Sequence, residues 1–440
     1  MRPSHRFCIA VWGAAAGVRL LYLIVVRPPF TIYYYWDIAS SLLKNGSVSV
    51  EGAQTASADL LYPLFLAAMR LVVGDRPLLI QAVQALIAAA GAVYLCKLTA
   101  ALTDSRRAAI AAAALFSVYP LLIRHSVDGT DSALLTTSLI AFAYYFVTAR
   151  SAIDGVAAGT CLGIAMLART VAWPLVVIAP LVAAARSRRV AIAMTGTALA
   201  ILTPALARTY AVSGALVPTR DGVNLFKANC EYASGVMAAY SVDVLGPYAE
   251  SRLAAFGLAD IPLTPAIERQ RSTAYRRLAL DEMRSHPFAT LWLKIRNVFY
   301  FFSPVLVPYR LTTAATTIRL GVNGVSVVEN TIERPLGHRL SYSLSYSLVV
   351  VLAAIGVYPP PPKASARQAH RRDGLRPDAI LWCILFTFAA VHAIFFPTTR
   401  YRAPVDFVFL FYAAVGLDTL MGAGDITPWH RSSASHVAAR

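Results

Sequence analysis

Long apolar runs alternate with short polar segments along most of the chain, and they predict membrane-spanning helices. A helix needs about 20 mostly apolar residues to cross the hydrocarbon core of a bilayer. Runs of this character occur at 7–26, 77–96, 108–122, 132–147, 154–168, 171–185, 190–207, 341–357, 379–396 and 405–421. The pattern therefore predicts a mainly α-helical, polytopic membrane protein with about ten transmembrane helices.

A long segment between the seventh and eighth runs differs from the rest because it is mixed in polarity and charged throughout. It predicts a domain outside the membrane. The expected organisation is a membrane module at 1–207 with a first outer loop at 27–76, an outer domain at 208–340, a second membrane module at 341–421 with a linker at 358–378, and a tail at 422–440.

The composition excludes a purely soluble enzyme. The 440 residues are 57% hydrophobic and only 14% charged, whereas soluble domains carry about 25% charged residues. The formal net charge is +17, but no basic stripe interleaved with aromatic residues predicts nucleic-acid binding. The five cysteines are odd in number and mostly apolar in context, so they indicate core residues rather than a disulfide framework.

Basic residues in the short loops predict the orientation. Lys and Arg concentrate in cytoplasmic loops, and here they fall on one side of the predicted spans, at Arg2, Arg6, Lys97, Arg106, Arg107, Arg150, Arg186, Arg188, Arg189, Lys363, Arg367, Arg371, Arg372 and Arg376. Both termini are then cytoplasmic, and both large loops face outward, as in a protein of the bacterial inner membrane. The aromatic segment 292–306 is too short for a span and is interpreted as an interfacial helix; a crossing there is the alternative.

Three arginines are expected on the outer face, where the charge rule predicts few basic residues. Arg169 ends the fifth span in a turn with no acid beside it in the sequence. It predicts either a phosphate ligand or a side chain reaching the lipid headgroups. Arg400 and Arg402 lie two residues apart in a tight outer turn, and this spacing favours a phosphate clamp.

Acidic residues on the same face are candidates for acid–base chemistry. Asp37 lies in an aromatic, helix-like stretch after the first span, where partial desolvation would make a carboxylate more basic. A solvated polar face is the alternative. Asp128 and Asp131 precede the fourth span, and one of them is explained equally well as a helix cap. No metal-ligand, nucleotide-binding or serine-hydrolase motif is present, and His125, His286 and His392 are isolated and interpreted as structural.

Ordered motifs over most of the chain resemble the GT-C superfamily of polytopic glycosyltransferases. The type is family 39, which includes protein mannosyltransferases that use dolichyl-phosphate-mannose and aminoarabinose transferases. The resemblance runs through Tyr35 to Gly46, Leu61-Tyr62-Pro63-Leu64, Thr130-Asp131-Ser132, Leu167-Ala168-Arg169, Gly222-Val223-Asn224-Leu225, Ser285-His286-Pro287 and Arg400-Tyr401-Arg402-Ala403-Pro404. Relatives usually have an acid where Thr31 stands here. Either Asp37 substitutes for it, or the chain is an inactive scaffold.

The resemblance implies a reaction and a set of roles. A sugar passes with inversion from a polyprenyl-phosphate donor to a lipid, glycan or protein acceptor. Asp37 or Asp131 is the base, and Arg169, Arg400 and Arg402 bind the phosphate. Accessory positions are Tyr35, Asp128 and Asn224. No cofactor is assigned, and the sequence does not decide whether the reaction requires a divalent metal ion. The competing function is a transporter or lipid flippase, although the large asymmetric outer domain favours the enzyme.

Overall fold

The computed structural model describes residues 3–30, 33–233, 245–308, 310–311, 317–321, 324–329, 332–358 and 376–423. In the first half, helices α1 to α10 and one short hairpin follow in this order: α1 His5–Val26, α2 Tyr33–Asn45, β1 Ser49–Val50, β2 Ala53–Gln54, α3 Leu61–Val73, α4 Pro77–Thr103, α5 Arg106–Val118, α6 Pro120–His125, α7 Ser132–Thr148, α8 Ala152–Ala168, α9 Leu175–Ala184 and α10 Arg188–Ser213.

The second half contains the segment predicted as an outer domain, which keeps that name below, and the remaining apolar helices. Its elements are α11 Arg220–Asn229, α12 Gly246–Arg252, α13 Pro265–Ser285, α14 Pro287–Phe301, β3 Arg310–Leu311, β4 Thr317–Gly321, β5 Gly324–Glu329, β6 Ile332–Glu333, α15 Leu336–Val357, α16 Ala379–Ile394, α17 Thr399–Arg402 and α18 Phe407–Ala423. The strands pair antiparallel, β3 with β6 and β4 with β5.

Helices coincide with all ten predicted runs, so the prediction of a mainly α-helical polytopic fold is confirmed. Within the described residues, four helices are long and apolar enough to cross a membrane alone: α1, α4, α10 and α15. A fifth results if the bent pair 399–405 and 407–422 forms one span. Helices α7, α8 and α16 and the segment 170–184 are apolar but shorter. Helix α14 is not among these candidates, and Phe288, Trp292 and Phe299 are exposed on it.

A proline break explains a buried arginine in the first span. Pro120 has no backbone N–H, so the carbonyl of Phe116 lacks its usual helical donor four residues on. The Arg19 Nη2 group donates to that carbonyl at 3.2 Å, and Nη1 donates to the Ala15 carbonyl at 3.0 Å. Arg19 thereby connects α1 to the α5–α6 break.

Small residues allow α8 and α10 to pack closely. Gly155, Gly159 and Gly163 recur every fourth residue on one face of α8. A Cβ atom on Gly159 would lie 2.3 Å from the Met194 carbonyl oxygen of α10. Close backbone approach of this kind stabilises helix pairs in membranes, where burial of apolar surface gives little driving force.

The first outer loop is attached to the outer domain by polar contacts. Arg208 at the end of α10 donates to the carbonyls of Val48 and Thr55 at 3.2 and 2.8 Å. The Ala56 backbone N–H donates to Glu268 of α13 at 2.8 Å. These contacts fix the loop segment immediately before α3.

We expect Gly159→Ala to destabilise the protein by about 1–3 kcal/mol, because the added methyl group forces α8 away from α10. Gly196→Ala is the matched control, since a Cβ there has no neighbour within 4 Å. Thermal unfolding in detergent should show a lower midpoint for the first variant only. Equal midpoints would contradict the packing role of Gly159.

Candidate active site

A buried ion pair connects two of the membrane helices at one end of the bundle. Asp131 directly precedes α7, and Arg169 directly follows α8. Arg169 Nε and Nη2 donate to the two carboxylate oxygens of Asp131 at 2.8 and 2.6 Å. No acid lies beside Arg169 in the sequence, but folding brings one in from 38 residues away. The Asp131 side chain makes no capping hydrogen bond to α7.

A carboxylate that sequence analysis missed lies beside this pair. Asp59 is half-buried in the loop before α3, and the Thr170 backbone N–H donates to it. Burial, and then the negative charge of Asp131, raise the pKa of the Asp59 carboxyl to about 7. The sequence feature that could have identified Asp59 is its position directly before the Leu60-Leu61-Tyr62-Pro63-Leu64 segment.

A second guanidinium approaches the pair from the turn helix α17. Arg400 Nη2 lies 4.0 Å from Asp131 Oδ1, and the side chain is 35% exposed. Among the described residues, the buried atoms Arg400 Nε and Arg169 Nη1 have no hydrogen-bond partner. Buried donors are normally paired, so these two atoms are suited to an incoming anion.

Tyrosines from the first outer loop surround the same carboxylates. Tyr35 of α2 packs edge-on against Tyr62 of α3, with ring centroids 5.3 Å apart. The Tyr62 hydroxyl donates to Gln84 of α4 at 2.9 Å. Burial, and then the charges of Asp131 and Asp59, raise the pKa of Tyr35. Its hydroxyl is therefore a neutral hydrogen-bond donor.

Arg402 does not join this cluster. Its guanidinium is fully buried and pairs with Asp406 at 2.8 Å. It also donates to the Phe301 and Ser303 carbonyls and to the Tyr342 hydroxyl. The geometry does not favour the predicted phosphate-binding role, because protein groups already occupy these donors.

Asp128 forms a separate pair with a histidine that sequence analysis interpreted as isolated. His125 Nδ1 lies 2.5 Å from Asp128 Oδ2, and the Thr130 hydroxyl donates to the other oxygen at 2.7 Å. Burial opposes ionisation of Asp128, but His125 holds its pKa below the ordinary value. Asp128 therefore remains charged beside Arg400.

Two predicted residues lie apart from the cluster. Asp37 is exposed on α2 and makes no hydrogen bond or ion pair among the described residues, so the expected desolvation is not found. Asn224 is half-buried on α11, also without a hydrogen bond within the described ranges. Thr31 lies outside the described residues. In the part of the chain that is described, no group of three His, Cys, Asp or Glu side chains could hold a metal ion.

Comparisons find distant likenesses among solved structures. No protein-family model and no curated protein sequence matches the chain. The oligosaccharyltransferase of Archaeoglobus fulgidus in the apo form is 16% identical, with a TM-score of 0.49, and the match covers 96% of this chain and 51% of that one. AglB from the same organism, in complex with an inhibitory peptide and a dolichol-phosphate, is 14% identical over 94% and 50%, with a TM-score of 0.47.

A further likeness is to ArnT from Cupriavidus metallidurans bound to undecaprenyl phosphate. It is 15% identical with a TM-score of 0.40, and the match covers 97% of this chain and 82% of that one. The chain thus spans about half the length of the oligosaccharyltransferases. At these identities and TM-scores, what this chain does has to be inferred from its own residues.

We expect Asp131→Ala to destabilise the fold by about 3 kcal/mol, because it leaves the Arg169 charge buried without its partner. Asp37→Ala is the matched control and should change stability by less than about 0.5 kcal/mol, since Asp37 is exposed. Chemical or thermal unfolding in detergent measures both. A change as small for Asp131 as for Asp37 would contradict a buried, mutually dependent pair.

Proposed function

We propose that the protein is a membrane glycosyltransferase that moves a sugar from a polyprenyl-phosphate donor to an acceptor hydroxyl, with inversion. The observation that supports this most directly is that Asp59, a carboxylate of raised pKa, lies beside Asp131, and that the two arginines next to Asp131 keep buried donors without partners among the described residues. The ordered family motifs in the sequence support the same reaction. Both features lie where membrane helices meet the outer loops, which suits a donor with a hydrocarbon tail.

The arginines would bind the phosphate of the donor. Among the described residues, Arg400 Nε and Arg169 Nη1 are buried donors without a hydrogen-bond partner, and Arg400 reaches the Asp131 carboxylate only at 4.0 Å. When the sugar leaves, negative charge grows on the phosphate oxygen that held it. Fixed guanidiniums stabilise such developing charge most effectively in a site from which water is excluded.

Asp59 would act as the general base. The acceptor oxygen attacks the anomeric carbon, the bond from that carbon to the phosphate oxygen breaks, and the hydroxyl proton passes to Asp59. A carboxylate with a pKa near 7 accepts a proton more readily than an ordinary one. Asp131, one of the two residues proposed from sequence as the base, already accepts two hydrogen bonds from Arg169, and we assign it the positioning of that arginine.

The remaining assignments follow from the placement of the site. Tyr35 and Asp128 lie around the site and would orient substrate or Arg400. We propose that the site faces the periplasm, because the basic loops lie at the other side of the predicted spans. The donor tail and the membrane lipids are then the immediate partners, and the acceptor is a lipid, glycan or protein of the cell envelope. Asp37 is not required by this mechanism.

We expect Asp59→Asn and Arg400→Ala each to lower sugar transfer by about 100-fold or more, since they remove the base and a phosphate ligand. The measurement uses the full chain in nanodiscs, a panel of radiolabelled undecaprenyl-phosphate sugars and an envelope extract. Asp37→Asn is the control and should retain activity.

Two outcomes would overturn this assignment. Transfer that survives in Asp59→Asn but is lost in Asp37→Asn would return the base to α2. If no donor of the panel supports transfer by the wild type, the glycosyltransferase proposal fails. The same protein would then be reconstituted into lipid vesicles. Movement of the labelled lipid from one leaflet to the other would identify a flippase.

The pH dependence of transfer gives a separate prediction. Below about pH 7 the Asp59 carboxyl is mostly protonated and cannot accept the acceptor proton. Transfer under kcat/KM conditions should therefore fall as the pH drops through 7, about tenfold per unit on the acid side. A profile that stays flat down to pH 5 would contradict Asp59 as the base.

A further inference from the structure

Three rings lie in a stack that ends at the site. His392 of α16 is parallel to Tyr401 of α17, with centroids 5.0 Å apart and 7° between the planes. Phe301 of α14 also stacks with His392, with centroids 5.8 Å apart and 19° between the planes. Phe301 and His392 are buried. The outer domain, a membrane helix and the turn that carries Arg400 are thus joined through one column of rings.

The Tyr401 ring of this stack also contacts Arg169. The Arg169 guanidinium carbon lies 5.1 Å from the centroid of the Tyr401 ring. Asp131 holds the Nε and Nη2 atoms, so the guanidinium is fixed by a carboxylate and by a ring. Nη1 is the atom that remains without a hydrogen-bond partner among the described residues.

Hydrogen bonds next to the stack connect α14 to the last turn of α16. The Asn297 side chain of α14 donates to the Ala393 carbonyl at 2.9 Å. Lys294 Nζ donates to the Ile394 carbonyl at 2.9 Å. Both carbonyls belong to the last turn of α16, where helical donors are missing. These bonds connect α14 to α16 on the same side as Phe301 and His392.

The histidine contributes to this stack through its flat ring rather than through its nitrogen Nε2. Among the described residues, the buried Nε2 atom has no hydrogen-bond partner, and the ring is hydrogen-bonded to the backbone of Phe396. Aromatic pairs with ring centroids about 4.5–7 Å apart attract each other beyond the area that they bury, so the stack stabilises the position of the Tyr401 ring. A ring over a cation is also attractive, most strongly where water is excluded.

We infer that Phe301, His392 and Tyr401 are positioning residues, which hold Arg169 in the orientation that presents Nη1 to the phosphate of the carrier lipid. The inference rests on the proposed function, since it assumes that Arg169 binds that phosphate. None of the three rings needs to touch the reacting atoms. Their contribution should therefore appear in carrier affinity and be restored by any flat ring of similar size.

The test measures binding of undecaprenyl phosphate to the full chain in nanodiscs. We expect His392→Ala and Tyr401→Leu to weaken binding about tenfold, the scale of one desolvated cation–ring contact. His392→Phe and Tyr401→Phe keep flat rings and should stay within about threefold of the wild type. The matched control is Phe388→Ala, which removes a buried ring of α16 that is tilted at 55° to His392 and lies outside the stack. It should lower the melting temperature without weakening binding.

Each alternative result has a distinct meaning. Binding lost equally in His392→Phe and His392→Ala would overturn the inference, because it would assign the role to the ring nitrogens. Wild-type affinity for undecaprenyl phosphate in His392→Ala would also overturn it. The same holds if Phe388→Ala weakens lipid binding in proportion to its lower melting temperature. If the wild type itself does not bind the lipid, or Arg400→Ala binds it as well as the wild type, the proposed function fails and the inference fails with it.

Discussion

The ion pair between Asp131 and Arg169 is the interaction on which the arrangement of the site depends. Removing two charges from water is costly, and the cost is recovered only when the geometry satisfies both groups. Here two short hydrogen bonds connect the start of α7 to the end of α8. The pair therefore fixes the relative height of two membrane helices. It also places a negative charge where a second carboxylate, Asp59, becomes harder to ionise.

Asp59 lies in this environment because hydrogen bonds to Arg208 and Glu268 fix the first outer loop. Arg208 binds two of its carbonyls, and Glu268 of the outer domain accepts a backbone N–H from Ala56. A loop without such contacts would leave its carboxylate in water with an ordinary pKa. In the proposed reaction, the outer domain would contribute by fixing this loop.

The helices were predictable from sequence, whereas the site was predictable only in part. Apolar runs mark helices because the bilayer requires every backbone group to be bonded within its own segment. Asp131, Arg169 and Arg400 were identifiable from sequence because ionisable residues are uncommon at the ends of apolar runs on the predicted outer side. Asp59 was missed because its burial depends on contacts with residues far away in sequence. Arg402 was included because it follows Arg400 closely, but two residues of a helical turn rotate a side chain by about 200°, and it faces Asp406 instead.

The charges of the site also suit the course of the proposed reaction. Asp131 pairs with Arg169, and Asp128 pairs with His125, so Arg400 would supply the positive charge that a donor phosphodiester, with its single negative charge, would meet. During transfer the phosphate gains a second negative charge as the sugar leaves, while Asp59 loses its own by taking the acceptor proton. The net charge within the site then stays constant throughout the step. A site of low dielectric favours this balance, because it penalises any uncompensated charge that appears along the way.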